Sequence, residues 1–379
     1  MPTVMISCGE ASGDLYAGAL ARELKQIDPS LAIFGFGGGH LHAAGAALIE
    51  DYRGHTVTGL AEVLKQLPRT YALYRRLVRA ARERRPDVFV AIDFPDFNFR
   101  LGQAMKDLGI PVVYYISPQL WAWRPKRLDA MKRFVTKVLP IFPFEEAIYR
   151  NAGVPVEFVG HPLIELAKAT EPRAAFLSSL GLDPDAPTVA LLPGSRPNEL
   201  HEILPDLVTA AGLIRREVPA VQFVLARAPN LSDDLLEPAA TAIARGDWPG
   251  AIVLERTDDV LAAVDVVVTA SGTATVQTAL HERPMVIVYR LSRLTYALGR
   301  RFVKIDTFGM VNLVAGSRIV PELIQDGFTP ETAAAETVRL LTDERAAERM
   351  RADIREVKRR LGGEGASRRA AEAIVRMIR

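Results

Sequence analysis

Short runs of β-branched residues alternate with longer helical patterns along most of this chain, which is the signature of parallel sheets covered by helices. A first series of strands is expected at Val4–Ser7, Ile33–Phe36, Val88–Ile92 and Val112–Ile116. A second is expected at Val189–Leu192, Phe223–Ala226, Ile252–Leu254, Val266–Thr269 and Val286–Tyr289. Between them His161-Pro162 and Glu171-Pro172 interrupt helical continuation and a polar stretch precedes a fresh strand, so the boundary falls near residue 165. Beyond Thr329-Pro330 the pattern is helical to Arg379, with Gly362-Gly363 as its clear break. The fold class is therefore α/β: two doubly wound, Rossmann-like domains, 1–165 and 166–345, then C-terminal helices over 346–379 that pack back on the first domain of their own or a partner's chain.

Composition narrows the class. The 379 residues exceed what one core usually supports, and 49% apolar with 24% charged residues is the balance of a folded chain. A single cysteine, Cys8, excludes a disulfide framework, and six scattered histidines show no structural zinc spacing. Met1 to Ser7 has neither a basic leader nor a cleavage site and reads as a strand. No stretch approaches the roughly 20 apolar residues that span a bilayer, so the expected place is the cytosol, with peripheral membrane contact at most.

The formal charge of +2 is unevenly spread. Lys65, Arg69, Arg75, Arg76, Arg79, Arg82, Arg84 and Arg85 stand against Glu83 alone, beside an apolar stretch from Val57 to Leu64. Residues 57–85 can thus seat the chain on anionic lipid, at about 1 kcal/mol per basic residue. The same run also fits a solvated helix face.

Ligands in open α/β sheets bind beyond the carboxyl ends of the strands, and four strand-to-helix loops there carry unusual residues. In Gly9-Glu10-Ala11-Ser12-Gly13-Asp14 the glycines allow close approach, while Glu10 and Asp14 would repel a bare pyrophosphate, so sugar positioning fits; Ser12 or Asp14 as a helix cap is the plainer reading. In Asp93-Phe94-Pro95-Asp96-Phe97-Asn98, Asp93 flanked by Phe94 and Phe97 suits a general base of raised pKa, whereas the plainer reading makes Asp96 or Asn98 a helix cap and Asp93 a turn residue. Ser117 to Arg124 holds Trp121 and Trp123, either core filling or a surface for sugar or acyl chains. Leu191-Leu192-Pro193-Gly194-Ser195-Arg196 offers backbone donors and a guanidinium that matches phosphate oxygens, and Ser271-Gly272-Thr273-Ala274-Thr275 forms a second anion cradle. Those two argue for a diphosphate held in the second domain.

With Met285-Val286-Ile287-Val288-Tyr289-Arg290 added, the order of these motifs resembles the lipid-A-disaccharide synthase family from Gly9 to about Gln325. The resemblance implies a GT-B fold whose domains face one cleft, no metal, and no cofactor, the UDP-sugar being a substrate. It implies inverting transfer of 2,3-diacylglucosamine from UDP-2,3-diacylglucosamine to 2,3-diacylglucosamine 1-phosphate, giving a β-1,6 disaccharide on the cytosolic face of the inner membrane. By position it makes Asp93 the essential aspartate with Glu10 as rival base. It sets Arg196 at the nucleotide, Asn312 beside the diphosphate and Glu322 at the ribose, with Ser12, Gly13, Ser271, Gly272, Thr273 and Tyr289 as further substrate contacts. A homodimer is compatible with it, and no nucleic-acid partner is expected.

The sequence departs from the family at Thr58-Gly59-Leu60-Ala61, which is less apolar than usual, and at Val311, where proline is typical and the loop carrying Asn312 would be looser. Acyl-chain preference is the property these changes touch. Other readings share part of the pattern. A UDP-N-acetylglucosamine 2-epimerase of GT-B type would keep the nucleotide cradle but need neither the aromatic loop nor the basic segment. A non-catalytic lipid-binding protein would not need Asp93 or Arg196, and a dinucleotide oxidoreductase would need GxGxxG, which Gly9 to Asp14 lacks.

Overall fold

The computed structural model describes residues 1–55, 60–118, 126–229, 231–291 and 307–378, with side chains left aside at 54–55, 60–66 and 126. The chain divides into two units, Met1–Glu165 with Leu361–Arg379, and Leu166–Arg360. The first holds β1 (Thr3–Ser7), β2 (Ala32–Gly37), β3 (Ala47–Asp51), β4 (Val88–Ile92), β5 (Val112–Tyr115) and β6 (Lys137–Leu139). The second holds β7 (Thr188–Leu192), β8 (Gln222–Arg227), β9 (Gly250–Leu254), β10 (Val266–Ala270), β11 (Met285–Tyr289) and β12 (Glu322–Ile324).

Both sheets are parallel and share one order, β3-β2-β1-β4-β5-β6 and β12-β11-β10-β7-β8-β9. In each, the chain works outward from a central strand, returns, and works outward the other way. The central pairs are β1 with β4 and β7 with β10. Helices leave these neighbours in opposite directions, which opens a crevice at their carboxyl ends. Strands β4, β7 and β10 are buried along their whole length, as strands covered on both faces must be, and apart from Phe89, Thr188 and Thr269 their sequences are Val, Ile, Leu and Ala.

The helical tail departs from expectation. Glu344–Arg360 belongs to the second unit, and only Ala366–Ile378 packs with the first. The physical reason is in the two apolar stripes. Ala346, Ala347, Met350, Ile354 and Val357 are buried within the second unit, where Lys358 also pairs with Glu282 at 2.8 Å. Ala366, Ala370, Ala371 and Ala373 are small enough for close approach to the helix Ala11–Ile27 in the first. Glu165 accepts from the backbone N–H groups of Gly365 (2.8 Å) and Ser367 (3.0 Å), capping this last helix, and Arg376 pairs with Glu157 at 2.7 Å.

No described helix is long and apolar enough to cross a membrane. Of the segments singled out above, residues 57–59 and the aromatic loop from Gln119 to Arg124, with Trp121 and Trp123, lie outside the described residues.

His161 is buried, edge-on to the rings of Tyr16 and Phe142 at 6.2 and 5.2 Å, and its Nδ1 accepts from the N–H of Leu163 at 3.2 Å. Burial lowers its pKa from 6.5 to about 3. The unfolded chain therefore takes up a proton near pH 6.5 that the folded chain refuses. This contribution to stability is complete above about pH 6.5 and is lost as pH falls toward 3, at about 1.4 kcal/mol per pH unit. His161→Gln should flatten the pH dependence of urea unfolding by one proton between pH 6 and 4. Separately, Glu165→Ala should destabilise the first unit by about 1–2 kcal/mol, read from the same unfolding curves at pH 7.

Candidate active site

In the first unit Ser7 pairs with Ala91 across the central strands, so two residues further on Gly9 and Asp93 stand level. The loops touch. A Cβ at Gly9 would lie 2.5 Å from the ring of Phe94, so only glycine fits. Asp93 and Phe94 are successive non-glycine residues in the left-handed region, at φ 43° and 49°, a conformation that costs roughly 1–2 kcal/mol per residue. The turn is held through the main chain of Asp93: its N–H donates to Ile116 O (3.2 Å), and its carbonyl accepts from Tyr114 Oη (2.8 Å) and Asn98 Nδ2 (2.9 Å). Pro95 then starts the helix Pro95–Asp107.

Asp93 is half-buried, whereas Glu10 is exposed at the start of the helix Ala11–Ile27, which its side chain does not cap. Asp14 does cap a helix, but the next one. Its buried carboxylate accepts from the N–H groups of Gly38 (2.7 Å), His40 (2.9 Å) and Leu41 (3.1 Å). Gly13 serves packing, since a Cβ there would meet Cys8 Cβ at 3.2 Å, and Ser12 is half-buried beside it. Phe94 and Phe97 turn toward Phe36, at 6.3 and 5.9 Å, and extend the core. Asp96 pairs with Arg127. Tyr16, which sequence reading passed over, is buried; burial first, then Tyr115 and the Asp93 carboxylate, raise its pKa.

The second unit repeats the arrangement. Leu192 pairs with Thr269, so Gly194 and Ser271 stand level beyond the central strands. Gly194 is left-handed at φ 127° and would clash with Glu199 if it carried a Cβ. Glu199 changes the reading of this loop. Its Oε2 accepts from the N–H groups of Ser195 (2.9 Å) and Arg196 (3.2 Å), so the donors expected to face an anion already hold a carboxylate. The Arg196 guanidinium is 63% exposed and pairs with Glu199 Oε1 at 3.4 Å. Tyr289, at the end of β11, shares this pocket: burial and the Glu199 charge raise its pKa, and Arg196 opposes them. Glu199 at the third position of the helix Pro197–Glu217, from which an acidic side chain can reach back to the N–H groups before the helix, was the available signal.

The other cradle is open. Gly272 and Thr273 are exposed at the N-terminus of the helix Thr273–Leu280, while Ser271 Oγ donates to Phe308 O at 3.2 Å. Asn312 and Glu322 stand behind it as a frame. The Asn312 amide donates to Val320 O (2.9 Å) and Glu322 Oε1 (2.7 Å) and accepts from the N–H groups of Ile319 (2.8 Å) and Val320 (3.0 Å), which uses its full capacity. Glu322 accepts from the N–H groups of Phe308 and Gly309, both at 2.9 Å. The structure therefore gives Asn312 and Glu322 internal partners where diphosphate and ribose contacts were expected. Met310–Ala315 is a helix rather than a loop, with Val311 buried in it, so the missing proline does not loosen Asn312.

A family model described as lipid-A-disaccharide synthetase matches residues 4–378. The chain belongs to the lipid-A-disaccharide synthase family. Lipid-A-disaccharide synthase from Myxococcus xanthus (strain DK1622) is 42% identical over 378 residues, covering 100% of this chain and 98% of the relative. The chain is accordingly a glycosyltransferase of lipid A biosynthesis. Among solved structures, UDP-N-acetylglucosamine 2-epimerase from Neisseria meningitidis, bound to UDP-N-acetylglucosamine, aligns with TM-score 0.70 at 12% identity over 99% of this chain and 100% of its own. The calicheamicin glycosyltransferase CalG4 aligns with TM-score 0.59 at 17% identity, covering 100% and 98%. At such identities the likeness is one of fold, and that fold is GT-B. It is shared by epimerase and transferase alike, so sequence rather than fold assigns the family.

Removing the Asn312 amide strips partners from the buried N–H of Val320, the half-buried N–H of Ile319 and the carbonyl of Val320. Asn312→Ala should cost about 1–3 kcal/mol in the urea unfolding of the second unit.

Proposed function

We propose that the chain condenses UDP-2,3-diacylglucosamine with 2,3-diacylglucosamine 1-phosphate, with inversion, to give the β-1,6 disaccharide 1-phosphate and UDP. The observation that carries this is the matched pair of strand-end crevices, one with Asp93 in a fixed turn and the other with Arg196 beside an open helix N-terminus. The Neisseria epimerase of the same fold, bound to UDP-N-acetylglucosamine, supports a UDP-sugar as donor.

In this reading the Asp93 carboxylate takes the proton of the acceptor's 6-hydroxyl as its oxygen bonds to the donor's anomeric carbon. The bond from that carbon to the diphosphate oxygen breaks, and its electron pair leaves on UDP. Arg196 and the N–H groups at Gly272 and Thr273 stabilise that growing charge, the task a metal ion performs in other enzymes. Glu10 is exposed, whereas Asp93 is half-buried in its left-handed turn, which favours Asp93 as base.

A peripheral seat on the inner membrane fits the helix Leu60–Arg84. Leu73, Leu77 and Ala81 face the core, while Leu67 and Tyr71 are 51% and 62% exposed beside exposed Arg69, Arg75, Arg79 and Arg82. Arg76 is engaged with Glu50, and Arg84 stacks on Phe34.

With both diacylated substrates in detergent, wild type should release UDP and form disaccharide, with or without a chelator. Asp93→Asn should lower kcat by about 100-fold or more, and Arg196→Ala should raise the donor KM by about tenfold. Conversion of UDP-N-acetylglucosamine with no disaccharide would favour the epimerase instead. Arg75→Glu with Arg79→Glu should weaken co-sedimentation with anionic vesicles, and added salt should weaken that of wild type.

A further inference from the structure

Asn98 occupies the fourth position of the helix Pro95–Asp107, where asparagine is a poor helix former. It is 0% exposed, and its side chain does not cap its own helix. Instead the side chain reaches across the crevice between the central strands. Its Oδ1 accepts from Ser7 Oγ at 2.7 Å, at the end of β1. Its Nδ2 points at three carbonyls: Asp93 at 2.9 Å, Ser7 at 3.2 Å and Ile92 at 3.3 Å. The carbonyls of Ser7 and Ile92 end the two strands from which the chain departs in opposite directions, and that of Asp93 is the next one along. One primary amide therefore joins the loop that carries Glu10 to the loop that carries Asp93.

The same carbonyl of Asp93 accepts from Tyr114 Oη at 2.8 Å, at the end of β5. Asp93 and Phe94 both lie in the left-handed region, which an unconstrained chain leaves readily. Two buried donors on one carbonyl supply the opposing force. We propose that Asn98 and Tyr114 are positioning residues for the glycosyl-transfer reaction: they hold the main chain of Asp93 in its left-handed turn and thereby aim its carboxylate at the acceptor hydroxyl. This rests on the reading of Asp93 as the base. Neither residue touches substrate; both act through Asp93.

The test is a pair of double-mutant cycles on disaccharide formation. Tyr114→Phe keeps the ring and removes one hydrogen bond, so kcat should fall by roughly three- to tenfold with the donor KM unchanged. Asn98→Ala should lower kcat by about 100-fold, while the unfolding midpoint of Tyr114→Phe stays near wild type and provides the measurement if Asn98→Ala does not fold. In an Asp93→Asn background neither substitution should lower kcat further, because there is no base left to aim. Full additivity in that background would overturn the proposal, as would wild-type kcat in Tyr114→Phe together with Asn98→Ala. Should Asp93→Asn itself retain kcat, the base assignment falls and takes the positioning role with it. That outcome is distinct, since it shows in the single mutant alone.

Discussion

Each half of this molecule depends on a reversal of direction at its central strand pair. When crossovers leave β1 and β4, or β7 and β10, toward opposite edges, the carboxyl ends of those strands lose the helix that would otherwise cover them. Their last carbonyls and first loop N–H groups must find partners elsewhere, because buried main-chain groups left unpaired are costly. In the first unit a fully buried asparagine answers that need, and in the second a glutamate one turn into the following helix does.

Those two solutions suit different chemistry. The first unit binds its crevice together with neutral donors and leaves two carboxylates, Asp93 and Glu10, on its loops, which is the equipment for moving a proton. The second combines a guanidinium with an open helix N-terminus and backs them with the closed Asn312–Glu322 frame, which suits a leaving group that gains negative charge. Among the described residues Glu199 pairs with Arg196 and accepts from its loop donors, so this arginine already has a partner within the fold.

Much of the fold was legible in the chain. All nine expected strands correspond to strands of the two sheets: eight are central, buried on both faces and therefore continuous apolar runs, and the ninth, the edge strand β9, still carries the apolar run Ala251-Ile252-Val253-Leu254. Strands β3, β6 and β12 escaped notice for the converse reason. Each is an edge strand, and their sequences, ALIED, KVL and ELI, are short or half-polar since one side lacks a neighbour. The tail's helices over 346–379 were expected together on the first domain because composition does not say which core an apolar stripe fits.

The sequence by itself determined the strand-to-helix loops, the placement of Asp93, Arg196 and Ser271 at strand ends, and the family, since these follow from local periodicity and from the order of short motifs. Only the tertiary structure decided which polar groups face outward. Asp14, Asn98, Asn312 and Glu322 are spaced along the chain much like binding residues, yet each finds its partners inside the fold, Asp14 and Asn98 through residues brought near by parallel pairing. Hydrogen-bond capacity is a property of three-dimensional neighbours, and no one-dimensional pattern records when it is already filled.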